Sequence, residues 1–459
     1  MTLRNLQLDK LKSLVLSGET RQDKWRRRQL NALSNLLEQH QQEILNALKK
    51  DLRKPPTEAL FEIIAIKQEI KLALKKLPNW MQAKAVNVPI SLRPAKAFIK
   101  PDPLGCILII GPWNYPFSLT LQPLVGALAA GNTAVLKPSE HAPNVSSLIK
   151  TLIEKYFQSN VVQVIEGDGN IAANLVSQKF DHVFFTGGEN IGKKVMEAAA
   201  KNLIPVTLEL GGKSPAIVIE GANLEVTANR IIWGKSLNAG QTCIAPDHLI
   251  VEKKLFEPLI SKLKKSINNF YGNSPIESEH LGSIVNKNQF SRLNNLLQQA
   301  KDNDQVIYGG ESNESETRIS PTLIKIANRD DRLMKEELFG PLLPILCIDN
   351  LEEALATFNS LPKPLAIYLF GGDEREQEKI ISKTSSGGVC FNDVVLQAGI
   401  PELPFGGVGS SGMGTYHGKA GFDNFTHYKS ILKRPFWLDL KFRYPPYKLN
   451  LSLLKKLIG

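Results

Sequence analysis

The stretch CILIIGPWNYPFSLTLQPLVGALAAGNTAVLKPSE, Cys106 to Glu140, holds two short apolar runs, CILII and TAVL, separated by a helix-length segment that closes on Gly131. The alternation continues downstream through NVSSLIKTLIEKYF, VVQVIEGD, IAANLVSQ, HVFFTGG, ENIGKKVMEAAAKN and VTLELGG. Near-continuous apolar strands separated by helices are the pattern of a parallel sheet covered on both faces. Ligands of such sheets bind beyond the carboxyl ends of the strands. The loops GPWNYP, KPSE and FTGGENIG are therefore the places to look for a site.

A second alternation runs from SPAIVIEG at Ser214 to about His417, with DHLIVE, PLLPILCI and LAIYLF as strands, and predicts another α/β unit. Upstream, Leu30, Leu33, Leu37, Ile44 and Leu48 recur at helical spacing and predict amphipathic helices packed on the main body. Two pieces fit neither pattern: AKAVNVPISLRPAKAFIKPD, Ala83 to Asp102, and the tail after Gly418. Both are expected as strands of a small accessory sheet that contacts another copy of the chain.

With 459 residues, 42% hydrophobic and 22% charged, the composition is that of a globular protein of several units. The four cysteines, at 106, 243, 347 and 390, form no CxxC pair and have no histidine cluster beside them. Neither a disulfide framework nor a metal site is expected, and a reducing, cytoplasmic setting fits. The start, MTLRNLQLDK, has no secretory apolar run, and no segment reaches the ~20 apolar residues of a membrane span. The net charge of +11 is concentrated in KWRRR near the start and in Lys433, Arg434, Lys441, Arg443, Lys448, Lys455 and Lys456 near the end. Without a zinc finger, an RNA-binding aromatic motif or a basic heptad region, that charge does not indicate nucleic acid.

A literal G-x-G-x-x-G lies at Gly407, Gly409 and Gly412, but no apolar strand precedes it and no helix follows, so it reads as a tight loop. FTGGENIG is the better phosphate cradle, since Gly187 and Gly188 admit a phosphate and a helix start follows; a plain glycine turn is the alternative. Lys137 and Glu140 in KPSE suit a ribose, or are simply two solvated charges. Cys243 sits in NAGQTCIAPD, among turn-forming residues that form neither strand nor amphipathic helix, whereas a free cysteine is more often a small buried hydrophobe. Glu209 ends an apolar strand, where burial raises a carboxyl toward the range of a general base. Glu336 and Glu337 precede a Gly-Pro turn, and Asn114 offers an amide donor at a strand end, the kind an oxyanion hole uses.

In order along the chain, GPWNYP, KPSE, FTGG, ELGGKSP, AGQTCIAPD, EELFGP and LPFGGVGSSGMG resemble the aldehyde dehydrogenase superfamily from Pro101 to Gly418. The TCIAPD form and the tail RPFWLDLKFRYPPY resemble its class 3 and fatty-aldehyde branch. The resemblance implies oxidation of an aldehyde to a carboxylic acid with NAD, NADP also being accepted in that branch. It assigns Cys243 as the nucleophile, Asn114 and the Cys243 N–H as oxyanion donors, and Glu209 as the base that activates the hydrolytic water. Glu337 and Phe339 would hold the nicotinamide end, Lys137 and Glu140 the adenine ribose, and Gly187 and Gly192 the pyrophosphate turn. Glu189 departs from this pattern, being an acid where phosphates should lie.

The resemblance also implies a Rossmann-like NAD(P)-binding domain over 1–82 and 103–209 and an α/β catalytic domain over 210–418. The bridging and oligomerisation sheet would be 83–102 with 419–446, in a homodimer. The remainder, 447–459, would be a gate over the substrate entrance, an interfacial tail drawn to anionic lipid, or a docked terminus. Expected substrates are apolar: fatty, aromatic or polyene aldehydes such as apocarotenals. A catalytically silent scaffold and a cofactor-independent thiol esterase are the competing readings.

Overall fold

Strand Cys106–Ile110 lies between Thr133–Lys137 and His182–Thr186, all parallel, with Ile110 opposite Lys137 and Phe185. In this computed structural model, which describes residues 6–447, 450–452 and 455, every residue of Cys106–Ile110 and Thr133–Lys137 is buried. That two-sided burial is why the runs lack polar alternation. Outward from Thr133–Lys137 comes Val162–Val164; on the other side come Val206–Glu209 and then the short antiparallel Gly412–Met413. The chain thus reverses direction across the sheet between Cys106–Ile110 and His182–Thr186. GPWNYP and FTGGENIG leave the carboxyl ends of those two strands, at the crevice where such sheets bind ligands.

The second sheet orders Val306–Tyr308, Thr322–Ile326, Leu342–Ile348, His248–Glu252, Pro215–Val218, Ala366–Phe370 and Gly388–Phe391. Only the Val306–Tyr308 edge pairs antiparallel. A small antiparallel sheet joins Lys84–Val86, Lys96–Pro103 and Thr426–Lys433, so the two pieces that fitted neither α/β pattern pair with each other. Between Gly418 and that last strand the chain first forms a short helix, Gly418–Asn424. Gly412 pairs with Glu209 and no helix follows directly, so the literal glycine fingerprint is a tight loop against the first sheet's edge.

The long helix Pro56–Trp80 packs across helix Ser118–Ala130 and buries Ile63, Ile66, Ile70 and Leu77 in the core that includes the amphipathic residues Leu30, Leu33, Leu37, Ile44 and Leu48. Among the described residues no helix is long and apolar enough to cross a membrane. Of the tail expected as a gate or anchor, Lys448, Leu449, Leu453, Leu454, Lys456, Leu457 and Ile458 lie outside the described residues.

Candidate active site

The crevice between the two large sheets opens into a cavity of about 820 Å³ whose walls include Asn114, Gly187, Gly188, Glu209, Cys243, Glu337 and Phe339. Six of the nine residues to which the resemblance assigned a role are therefore brought to one place. Lys137, Glu140 and Gly192 do not line it. Lys137 ends its strand next to the start of GPWNYP, where its carbonyl accepts the Gly111 N–H at 3.0 Å. Its ammonium pairs with Glu140 at 2.5 Å. Burial works against charge on Glu140, yet the hydrogen bond and charge of Lys137 leave that carboxyl below its ordinary pKa. Gly192 faces the protein: a Cβ there would come within 2.8 Å of Leu210, so its contribution is close packing of helix on strand end.

Cys243 is held by backbone geometry that few sequences tolerate. After helix Leu224–Ser236, Asn238 and Ala239 both take left-handed φ of 53°, a conformation that costs energy in a non-glycine residue and persists where the surroundings enforce it. Gln241 supplies much of that enforcement. Its amide donates to Asn238 O and Ser283 O, each at 2.9 Å, and its oxygen accepts Val285 N–H at 2.9 Å. On the far side, the buried Tyr368 hydroxyl donates to Ile244 O at 2.5 Å. The half-buried thiol opens onto the cavity, where burial first, then the Glu337 and Glu209 charges, push its pKa up to about 12. The N–H groups of Cys243 and Ile244 oppose that rise.

Glu209 ends strand Val206–Glu209, is 2% exposed, and neither carboxylate oxygen has a hydrogen-bond partner among the described residues. Burial raises its pKa well above 4.5. A buried carboxyl without partners is costly to the fold, and such groups persist where chemistry uses them. Asn114 is 3% exposed and spends one amide hydrogen on Gln241 O at 3.1 Å, which leaves its second N–H for a ligand.

Glu336 and Glu337 both reach the cavity wall, but Glu336 is exposed with Arg332 3.8 Å away, whereas Glu337 is half-buried and pushed up to about 8 by burial and the neighbouring Asp247 charge. The segment carrying it is fastened by residues whose roles the sequence did not reveal. Lys213 donates to Leu333 O at 2.9 Å and Glu336 O at 3.0 Å and pairs with Asp247. Asp247 in turn accepts Leu338 N–H at 2.8 Å, and Arg292 reaches Leu338 O at 2.6 Å. Lys213 and Asp247 stand inside the motifs ELGGKSP and TCIAPD, so their presence was legible although the fastening they provide was not. Arg292 carried no signal. Phe339, at φ 51°, stands edge-on to Trp113 with centroids 5.2 Å apart.

The residues present suit a dinucleotide. Helix Glu189–Ala200 starts without a side-chain cap, and Gly188 has open space where a side chain would be. Free N–H groups and the positive helix end therefore face the cavity, as an anionic pyrophosphate requires. Glu189, the acid that departed from the pattern, pairs with Lys193 at 2.7 Å along the helix. The Glu337 carboxylate offers acceptors for ribose hydroxyls at the end nearer Cys243.

Comparison with known proteins finds relatives along nearly the whole chain. The family model described as "Aldehyde dehydrogenase family" matches residues 19–431. The chain is 46% identical over 445 residues to the 4,4'-diaponeurosporen-aldehyde dehydrogenase of Staphylococcus aureus (strain NCTC 8325 / PS 47), covering 97% of this chain and 96% of that protein. It is 42% identical to the "Aldehyde dehydrogenase, dimeric NADP-preferring" of Canis lupus familiaris, covering 94% of this chain and 95% of the relative. Among solved structures, the substrate bound state of Staphylococcus aureus AldH superposes with a TM-score of 0.96 at 44% identity, over 100% of both chains.

Proposed function

The chain belongs to the aldehyde dehydrogenase family and is an NAD(P)-dependent oxidoreductase that oxidises aldehydes, and on that basis we propose that Cys243, Glu209 and Asn114 carry the reaction on apolar aldehydes. The observation that supports this reading best is the Glu209 carboxylate, buried and without a partner in the same cavity as the only cysteine in its walls. A silent scaffold has no use for that cost.

In this mechanism the Cys243 thiol gives up its proton to solvent through the open cavity, and the sulfur adds to the aldehyde carbon. The resulting oxyanion is held by the Asn114 amide and the Cys243 N–H. Bound NAD(P)+ supplies the hydride acceptor. Gly187, Gly188 and Glu337 would hold it, with Phe339 and Trp113 walling that part of the cavity. Glu209 then deprotonates a water that attacks the thioester, and the acid leaves with the thiol restored.

The proposed substrate class rests on the Staphylococcus aureus relative, named for 4,4'-diaponeurosporen-aldehyde, and on exposed Leu396, Ile400 and Leu403 near the nucleophile loop. Gln397, on the same short turn, donates to the Tyr368 hydroxyl that also reaches Ile244. Purified protein given NAD+ and straight-chain aldehydes of rising length is expected to show kcat/KM climbing with chain length. A flat or falling series rejects the apolar class.

Cofactor choice is proposed to rest on Glu140, whose carboxylate suits a ribose 2′-hydroxyl and repels a 2′-phosphate. Glu140→Ala is expected to raise kcat/KM with NADP+ relative to NAD+ by about tenfold, read from paired saturation curves. A homodimer through the small antiparallel sheet, the domain limits given above and a cytoplasmic setting are part of the same proposal. So is contact with anionic lipid, for which exposed Phe436 and Trp437 beside Lys433 and Arg434 are the supporting features.

A further inference from the structure

Lys54 and Glu62 form an ion pair at 2.6 Å with both side chains 0% exposed, on the turn into the long helix and its second turn. Burying two charges is expensive and is often no more stabilising than an apolar pair, so such a pair invites the question of what it holds. Every contact leads to the candidate active site. Besides Glu62, the Lys54 ammonium donates to the Asn114 carbonyl at 3.0 Å and lies 4.0 Å over the Tyr115 ring. The second Glu62 oxygen accepts the N–H groups of Phe117 and Ser118 at 3.1 and 2.9 Å. The middle and the carboxyl end of the loop carrying Asn114 are thus gripped by one pair.

The grip extends to the nucleophile. The Asn114 carbonyl also accepts the Asn238 amide at 2.7 Å, and Tyr115 hydrogen-bonds Thr242 at 2.7 Å. One turn before Glu62, Glu58 accepts the strained Asn238 N–H at 2.8 Å. Two loops from different sheets therefore meet on one stretch of a third element, and the fixed distance between them is the distance from Asn114 to Cys243.

We infer that the Lys54–Glu62 pair is a positioning device that sets the Asn114 amide against the carbon held by Cys243. The inference rests on the proposed oxyanion role of Asn114. It predicts a loss confined to the chemical step, because neither residue lines the cofactor cavity.

The test is the double variant Lys54→Met/Glu62→Gln, which removes both charges while keeping length and an acceptor for the Phe117 and Ser118 amides. Its kcat for aldehyde oxidation is expected to fall by about 10- to 100-fold, the scale of a misplaced catalytic donor. KM for NAD+ and the NAD+ dissociation constant from fluorescence titration are expected to stay within about twofold. The same pair of changes is then made in Asn114→Ala. A further loss of less than about threefold there supports positioning through Asn114. An undiminished further loss overturns the inference and leaves the oxyanion role standing. Full activity in Asn114→Ala alone overturns the oxyanion role and the inference with it. Unchanged kcat in the double variant overturns the inference directly. Should the double variant not fold, Lys54→Arg carries the test: it keeps the charge but cannot place a single donor on the same carbonyl. In that variant a kcat loss with NAD+ affinity retained supports the inference, and wild-type kcat rejects it.

Discussion

Cys243→Ala is expected to lower the steady-state rate of aldehyde oxidation by a factor on the order of 10⁴ or more, with NAD+ affinity close to wild type. The size of the effect follows from the geometry. Without the sulfur no covalent bond holds the aldehyde carbon, and Asn114 and Glu209 are left with nothing to act on. The thiol's small volume and its opening onto the cavity make the alanine variant a mild change for the fold. NAD(P)H fluorescence in single turnover checks the prediction, and turnover within tenfold of wild type would show that the aldehyde is oxidised without Cys243.

Glu209→Gln is expected to separate the two halves of the reaction. Because its proposed work is to activate the hydrolytic water, steady-state turnover should fall by about 10²- to 10⁴-fold. A first burst of NAD(P)H should precede that slow phase, since sulfur attack and hydride departure come earlier. The wild-type rate should rise with pH along a limb well above 4.5, because burial raises the Glu209 pKa and only the carboxylate form takes a proton from water. The variant should lose that limb. Stability should move the other way. In wild type the folded state retains a Glu209 proton that the unfolded chain has already released, so stability declines as pH rises through that window. Glutamine has no such decline. The Tm advantage of the variant should therefore widen as pH rises above about 4.5, by a few degrees. A lower Tm for the variant across that range would mean that the carboxylate stabilises the fold.

Much of the fold was readable because burial on both faces writes itself as unbroken apolar runs. Cys106–Ile110 and Ala366–Phe370 are such runs, and both stand out in the sequence. Thr322–Ile326, which exposes Lys325, and Gly388–Phe391, which starts at a glycine and is only half-buried, offered no comparable signal. The site was legible where a single local motif carries a single chemical role. Cys243, Glu209, Asn114 and Glu337 each stand in a recognisable loop and converge on one cavity. Lys54 and Glu62 were not legible. Eight positions apart at a helix start, they read like any solvated charges, and only the packing of loops more than 50 residues away buries them. Lys213 and Asp247 fall between these cases, since their motifs were seen but their partners lie in a distant segment.

Glu62 has a consequence for how the sheet receives ligands. In an ordinary dinucleotide-binding sheet, the helix after the first strand greets the pyrophosphate with its exposed amides. Here the amides of Phe117 and Ser118 at that helix start already serve a carboxylate from within the protein. That port is shut by an internal carboxylate, and a visiting phosphate would have to compete with it for those amides. Grafting a glycine-rich loop into GPWNYP would therefore create no new binding site, because the receptor end of the helix is plugged from behind. The uncapped helix start at Gly188 is left as the place where the proposed pyrophosphate site would lie, and the first crossover has become fixed wall.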